Sequence, residues 1–240
     1  MTEADTANGC RYGLYLSPPP ESPLHAFASR WLGRHPATGA LEPLQPMDGI
    51  SASWRQAIID SPRGYGFHAT LKAPFHLRPE KSATGLRQAL AQFARKREPF
   101  VAPPLTLTTI GSFIALTLAA RCPAMQELAD SCVEEFDEFR RPPGSEELAR
   151  RRQASLTPPQ LALLERWGYP YVFAEWQFHM TLTGFIREPA ERALAHARLA
   201  PLVEPFCSQP WTVDSVCLFE QAGPAQPFFC TARFPLGGAA

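Results

Sequence analysis

Two six-residue segments, Phe67-His68-Ala69-Thr70-Leu71-Lys72 and Phe178-His179-Met180-Thr181-Leu182-Thr183, constrain this 240-residue chain more than any other feature. They agree at four of six positions, and their histidines stand 111 positions apart (179 − 68), close to half the chain. With only 14 threonines in the sequence, a histidine followed two places on by threonine, twice in one Phe-His-x-Thr-Leu frame, points to duplication rather than chance. In a strand, successive side chains alternate between faces. His68, Thr70 and Lys72 therefore share one face, with Phe67, Ala69 and Leu71 behind them. His179, Thr181 and Thr183 form the equivalent polar row, backed by Phe178, Met180 and Leu182. Two such rows on equivalent strands imply a common groove rather than open solvent.

The rest of the chain supplies matching surroundings. Arg11 to Leu16 reads as a strand, and Ser22-Pro23 as an N-cap with proline at the first helical position, opening a helix that Gly33 stops. Residues 35–50 read as loop, 51–60 as a short helix and 66–73 as a strand. A helix over 83–97 follows, then strands at 105–109 and 113–118 separated by the Gly111 turn. The order recurs after the second segment: strand 178–185, helix 189–202, strands 212–219 and 228–234. Between the halves, residues 123–168 read as a helical insertion of three helices: 123–139, 145–155, and one capped by Thr157 and Gln160 and stopped by Gly168. The expected fold is a single duplicated α+β domain spanning residues 1–240.

Composition narrows the function. Twenty-three basic residues balance 23 acidic ones, which argues against gripping long nucleic acid, a task that relies on many cations neutralising phosphates. No run approaches the roughly 18 apolar residues that cross a bilayer, and the N-terminus lacks the start of a secretory signal, so no membrane partner and a cytoplasmic location are expected. The six cysteines contain no C-x-x-C pair and read as unbridged, mostly buried thiols.

Two imidazoles across a groove suit general acid–base chemistry, because an ordinary pKa near 6.5 lets one accept a proton while the other donates one. Threonine hydroxyls beside them can hold phosphate oxygens without neutralising the histidines. Attack of water on a phosphodiester fits this set: one histidine deprotonates the water and the other protonates the departing sugar oxygen. No metal or other cofactor is expected, since each segment supplies one histidine and no H-x-H, H-E-x-x-H or C-x-x-C lies nearby.

The paired H-x-T segments resemble the two-histidine (2H) phosphoesterase superfamily. That resemblance implies two similar lobes, each an antiparallel sheet with helices outside, around a central groove, and cleavage of cyclic phosphates or phosphodiesters without metal. It makes His68 and His179 the acid–base pair and Thr70 and Thr181 the phosphate-binding hydroxyls. Over nearly the whole chain, RYGLYLSPPP, YGFHATLKAPF, ELARRRQASLTPPQ and WGYPYV…FHMTLTGF are similar to a subfamily encoded beside phosphonate-degradation genes and known as a domain of unknown function (DUF1045). A small phosphorylated substrate is implied, such as a cyclic ribose phosphate or a nucleoside 2′,3′-cyclic phosphate.

Other residues carry two readings. Lys72 is a phosphate ligand or a solvated strand end, and Thr183 is similarly divided. Tyr15 and Tyr65 either stack on a base or sugar or simply pack. Arg150, Arg151 and Arg152 read as a solvated helix face, and His25, His35, His76 and His196 as structural. Two rivals to a hydrolase stand: a non-catalytic module that binds a phosphorylated ligand in the same groove, and an enzyme that processes RNA ends.

Overall fold

A computed structural model describes residues 9–44, 49–144 and 156–238. The expected helix over 145–155, with Arg150, Arg151 and Arg152, lies outside them. The described residues form an α+β fold with nine strands and six α-helices. The strands are β1 (Arg11–Leu16), β2 (Ala69–Phe75), β3 (Phe100–Ala102), β4 (Leu105–Ile110), β5 (Phe113–Leu118), β6 (Met180–Thr181), β7 (Trp211–Val213), β8 (Ser215–Gln221) and β9 (Phe229–Pro235). The helices are α1 (Pro23–Leu32), α2 (Ala52–Tyr65), α3 (Ala83–Arg95), α4 (Pro123–Glu135), α5 (Pro158–Trp167) and α6 (Pro189–Cys207).

Local chemistry sets the helix ends. The Ser22 hydroxyl accepts from the His25 N–H ahead of Pro23, and Gly33 closes α1 at φ 70°, a left-handed conformation that favours glycine. Thr157 and Gln160 form the reciprocal capping box of α5. Two helices outrun the sequence reading. The second continues to Tyr65 with Pro62 in its last turn, and α6 reaches Cys207 through Pro201 and Pro205.

Seven strands make one antiparallel sheet in the order β4-β5-β6-β2-β1-β8-β9, and β3 pairs with β7 separately. Where two lobe sheets are expected, the strands join into one sheet at a narrow seam, the Ala69–Met180 pair between β2 and β6. Two of the strand pairs between the halves are self-related by the offset of the histidines. Ala69 and Met180 are 111 apart (180 − 69), and so are Val101 and Thr212 (212 − 101), the central pair of the small sheet. Around the seam, β1 flanks β2 with Tyr15 opposite Thr70, and β5 flanks β6 with Ala115 opposite Thr181. Fully buried Leu14, Leu71, Leu116, Met180 and Leu182 join residues of α3, α4 and α6 in one main core. Each such side chain contributes roughly 1.5–3 kcal/mol relative to exposure. A smaller aromatic cluster of Tyr15, Cys217, Phe219 and Phe228 forms separately.

Candidate functional site

The seam brings the two segments together. The Ala69–Met180 pair brings the flanking residues of both segments, His68 and Thr70 of the first and His179 and Thr181 of the second, to one short seam of the sheet. The charge of His179 is felt at His68 across it. Ala69 and Met180, at 1% and 0% exposure, are their core-facing neighbours.

The two imidazoles are oriented in the same way. His68 Nδ1 lies 2.9 Å from the Gly66 carbonyl, and His179 Nδ1 lies 2.9 Å from the Gln177 carbonyl, each two residues back along the chain. A carbonyl only accepts, so each Nδ1 carries a proton and donates it, leaving Nε2 as the nitrogen that takes up or releases a proton. The Thr70 hydroxyl, 3.3 Å from His68 Nε2, donates to that lone pair. Gly66 reaches its position at φ 75°, which a side chain would strain. On the other side of Thr70, its carbonyl accepts from the Trp176 indole N–H at 2.8 Å, tying β2 to the approach of the second segment.

The surroundings of the two rings differ. Tyr15, 1% exposed, stacks on His68 with centroids 3.8 Å apart and planes at 22°. Phe219 and Tyr65 lie 5.8 and 6.2 Å from the same ring. Burial under these rings pulls the His68 pKa down to about 4; the Gly66 carbonyl opposes this and the charge of His179 adds to it. His179 instead has Phe113 at 5.8 Å, and Phe113 in turn meets the exposed Phe185 edge-on.

The remaining expected contacts separate. Tyr65, 38% exposed, stands at the rim beside His68 and stacks on Phe228. Tyr15 is the lid on one imidazole, packing against the site rather than presenting a face to a ligand. Lys72 is not a solvated strand end. The pairing runs Tyr15 with Thr70 but Leu14 with Lys72, and the extra residue makes a bulge that breaks the two-residue alternation. Lys72, 3% exposed, donates to the Val133 carbonyl in the last turn of α4 at 3.0 Å and stands 3.6 Å from Asp137. Burial pulls its ammonium down to about 8, with Asp137 opposing. Thr183 is fully buried and its hydroxyl accepts from the Ile114 N–H at 2.9 Å. The second strand stops at Thr181 because the Leu182 and Thr183 N–H groups both turn to the Ile114 carbonyl. Lys72 and Thr183 are both buried and bonded to the backbone of neighbouring elements.

The Gly66 and Gln177 carbonyls, Trp176 and Phe113 escaped the sequence reading, since backbone acceptors and packing rings carry no motif. Among the described residues all six cysteines are free thiols, and no three His, Cys, Asp or Glu side chains converge in a way that could hold a metal ion. No described helix is long and apolar enough to cross a membrane. A cavity of about 1040 Å³ opens beside the second segment between Arg121, Gln126, Asp130 and Gln177.

An α+β protein with one large antiparallel sheet and an H-x-T segment on each side of its central seam is the class that these features define. The family described as "Protein of unknown function (DUF1045)" matches residues 70–229, and the chain belongs to it. Two curated relatives carry the name "Ribose 1,5-bisphosphate phosphokinase PhnN". One, from Janthinobacterium sp. (strain Marseille), is 36% identical over 241 residues, covering 95% of this chain and 51% of that protein. The other, from Laribacter hongkongensis (strain HLHK9), is 34% identical over 180 residues, covering 74% and 41%. The chain thus spans about half the length of the curated relatives it matches.

Proposed function

We propose that this chain is a duplicated, two-lobed 2H-type phosphoesterase that hydrolyses a small phosphorylated ribose or nucleotide-like diester without metal. The observation that carries the reading is the paired orientation of the imidazoles. Each is held through Nδ1–H by a carbonyl two residues back, and each belongs to a segment joined to the other at the seam. His68, with its pKa pulled to about 4, is neutral at neutral pH and serves as the base that deprotonates water at Nε2. His179 serves as the acid that protonates the leaving oxygen, and Thr181 and Thr70, whose hydroxyl turns from His68 Nε2 to the substrate, donate to the equatorial phosphate oxygens.

The names of the relatives support a phosphorylated ribose as substrate and a place in phosphonate metabolism. Their kinase name is a second reading. This chain contains no G-x-x-x-x-G-K-[S/T] phosphate loop, and it spans only half of the relatives, so the kinase chemistry is assigned to the half it does not match.

The test is phosphorus NMR of the full chain with phosphoribosyl 1,2-cyclic phosphate and with nucleoside 2′,3′-cyclic phosphates, with and without a chelator. Opening of one ester in both conditions is expected, with His68→Ala and His179→Ala each losing about 10²–10⁴-fold while remaining folded. Binding without product would leave the non-catalytic module standing. ATP-dependent phosphorylation of ribose 1,5-bisphosphate by this chain alone would overturn the assignment in favour of the kinase.

A further inference from the structure

A cavity of about 380 Å³ that Tyr65 and Phe228 help to line is walled by Arg11, Arg34 and Arg63, with Asp60 and Gln221 also on its lining. Arg34 is 5% exposed, and burying an uncompensated guanidinium is costly. Its two terminal nitrogens donate to the Arg63 and Phe228 carbonyls, at 3.3 and 2.7 Å, and its plane covers the Phe229 ring at 4.6 Å. Arg63 donates to the Gly33 carbonyl at 3.2 Å, and Arg11 Nε to Gln221 Oε1 at 2.6 Å. These partners orient the three guanidinium groups but leave their charge unneutralised: among the described residues none of the three is in an ion pair. A guanidinium offers five N–H donors, so donors remain for a ligand.

We infer that this cavity is a second phosphate subsite, which takes a phosphomonoester on the same substrate whose diester lies between the histidines. The inference rests on the phosphodiesterase reading and deepens it. Forked guanidinium groups match tetrahedral oxyanions in geometry and charge better than any neutral ligand. The two subsites share walls: Tyr65 lines the cavity and lies 6.2 Å from the His68 ring, and Phe228 lines it and stacks on Tyr65 at 5.1 Å. Arg11 and Tyr15 lie on one face of β1, four residues or about 13 Å apart. That span suits a sugar or nucleoside cyclic ester bearing a further phosphate, rather than a lone cyclic ester.

The experiment labels the arginine side chains of the full chain with nitrogen-15 and titrates inorganic phosphate. It then compares a nucleoside 2′,3′-cyclic phosphate with its 5′-phosphorylated form. Saturable shifts of the Arg11 and Arg63 Nε–H signals are expected in the wild type and in His179→Ala alike, weakened about 10-fold in Arg63→Gln and strengthened in Asp60→Asn. The 5′-phosphorylated compound should bind about 10-fold tighter than its parent, and Arg63→Gln should erase that preference. Unmoved arginine signals, or a preference that survives Arg63→Gln, would overturn the subsite. Absence of any cleavage with these binding results intact would instead defeat the hydrolase reading and leave the subsite standing.

Discussion

Replacing Tyr15 with leucine tests the asymmetry between the two histidines. The difference between the ordinary imidazole value of 6.5 and about 4 corresponds to roughly 3 kcal/mol of preference for neutral His68 in the folded protein. The sign follows from linkage. Between pH 6.5 and 4 the unfolded chain binds a proton that folded His68 refuses, so stability falls as pH drops through that window. Tyr15 covers one face of the ring at 3.8 Å. If one face supplies about half of the burial, Tyr15→Leu should return roughly 1.4 kcal/mol, raising the His68 pKa by about 1. Leucine is chosen because cutting a fully buried aromatic back to alanine costs about 3–5 kcal/mol and threatens the fold. Carbon–proton NMR of the imidazole Cε1–H, assigned by its loss in His68→Gln, reads the midpoint directly. Tyr15→Phe, which keeps the ring and removes only the hydroxyl, should leave it in place. A wild-type midpoint near 6.5, or one that Tyr15→Leu does not move, would refute the burial argument.

Further outcomes follow from neighbouring contacts. The acid limb of kcat/KM should fall near pH 4, where His68 takes up a proton, and should move upward in Tyr15→Leu; a limb near 6.5 in the wild type would show that another group is the base. Lys72→Met should stabilise the protein by about 1–2 kcal/mol at pH 7 in urea titration, because Asp137 keeps Arg140 at 2.7 Å and the buried charge is gone. That gain should shrink above pH 8, where folded Lys72 is already neutral while the unfolded lysine remains charged to about 10.5; a loss of stability at pH 7 would show the charge to be structural. Gly13→Ala would set a Cβ 2.6 Å from the Tyr15 ring, so it should cost about 1–3 kcal/mol and raise the His68 midpoint by tilting that ring. Met180→Ala, at the fully buried centre of the seam, should cost about 2–5 kcal/mol in the same titration; a loss below 1 kcal/mol would mean that the seam carries little of the core.

Much of the frame was legible because it rests on local rules. Alternation around His68 and His179 put Ala69 and Met180 in the core, and Ser22, Gly33, Thr157 and Gly168 marked helix ends by capping chemistry. Lys72 and Thr183 were misjudged where alternation stops. A bulge after Thr70 and the early end of β6 depend on the partner strand, which a single segment does not reveal. The same holds for β3 and β7. Their pairing forms only when the halves meet, and the short Phe100–Ala102 run carries no strand pattern of its own. The site's four central side chains were readable as a repeated motif. Tyr15 and Tyr65 were named from the sequence with both readings open, but their place beside His68, and the part of Phe228 and the arginines, were not readable, because these residues come from β1, the turn after α1, α2 and the segment before β9, scattered in sequence and joined only by the fold.

The repeated H-x-T segments account for both the strength of the proposed site and its need for departures. Joined at the Ala69–Met180 seam, they bring two histidines together, but equivalent surroundings would give them similar proton affinities. Acid–base catalysis at one pH requires those affinities to differ, so that one ring is neutral while the other is protonated. The proposed mechanism therefore depends on positions where the copies disagree. The clearest is the flanking strand. Tyr15 of β1 opposes Thr70, whereas Ala115 of β5 opposes Thr181. The phenol ring stacks on His68, and a methyl group stands at the corresponding place beside the second segment. Moving the aromatic cover from one strand to the other, Tyr15→Leu with Ala115→Tyr, should then raise the proton affinity of His68. If the His68 midpoint stays where it was in the folded variant, the flanking strand does not set the division of roles.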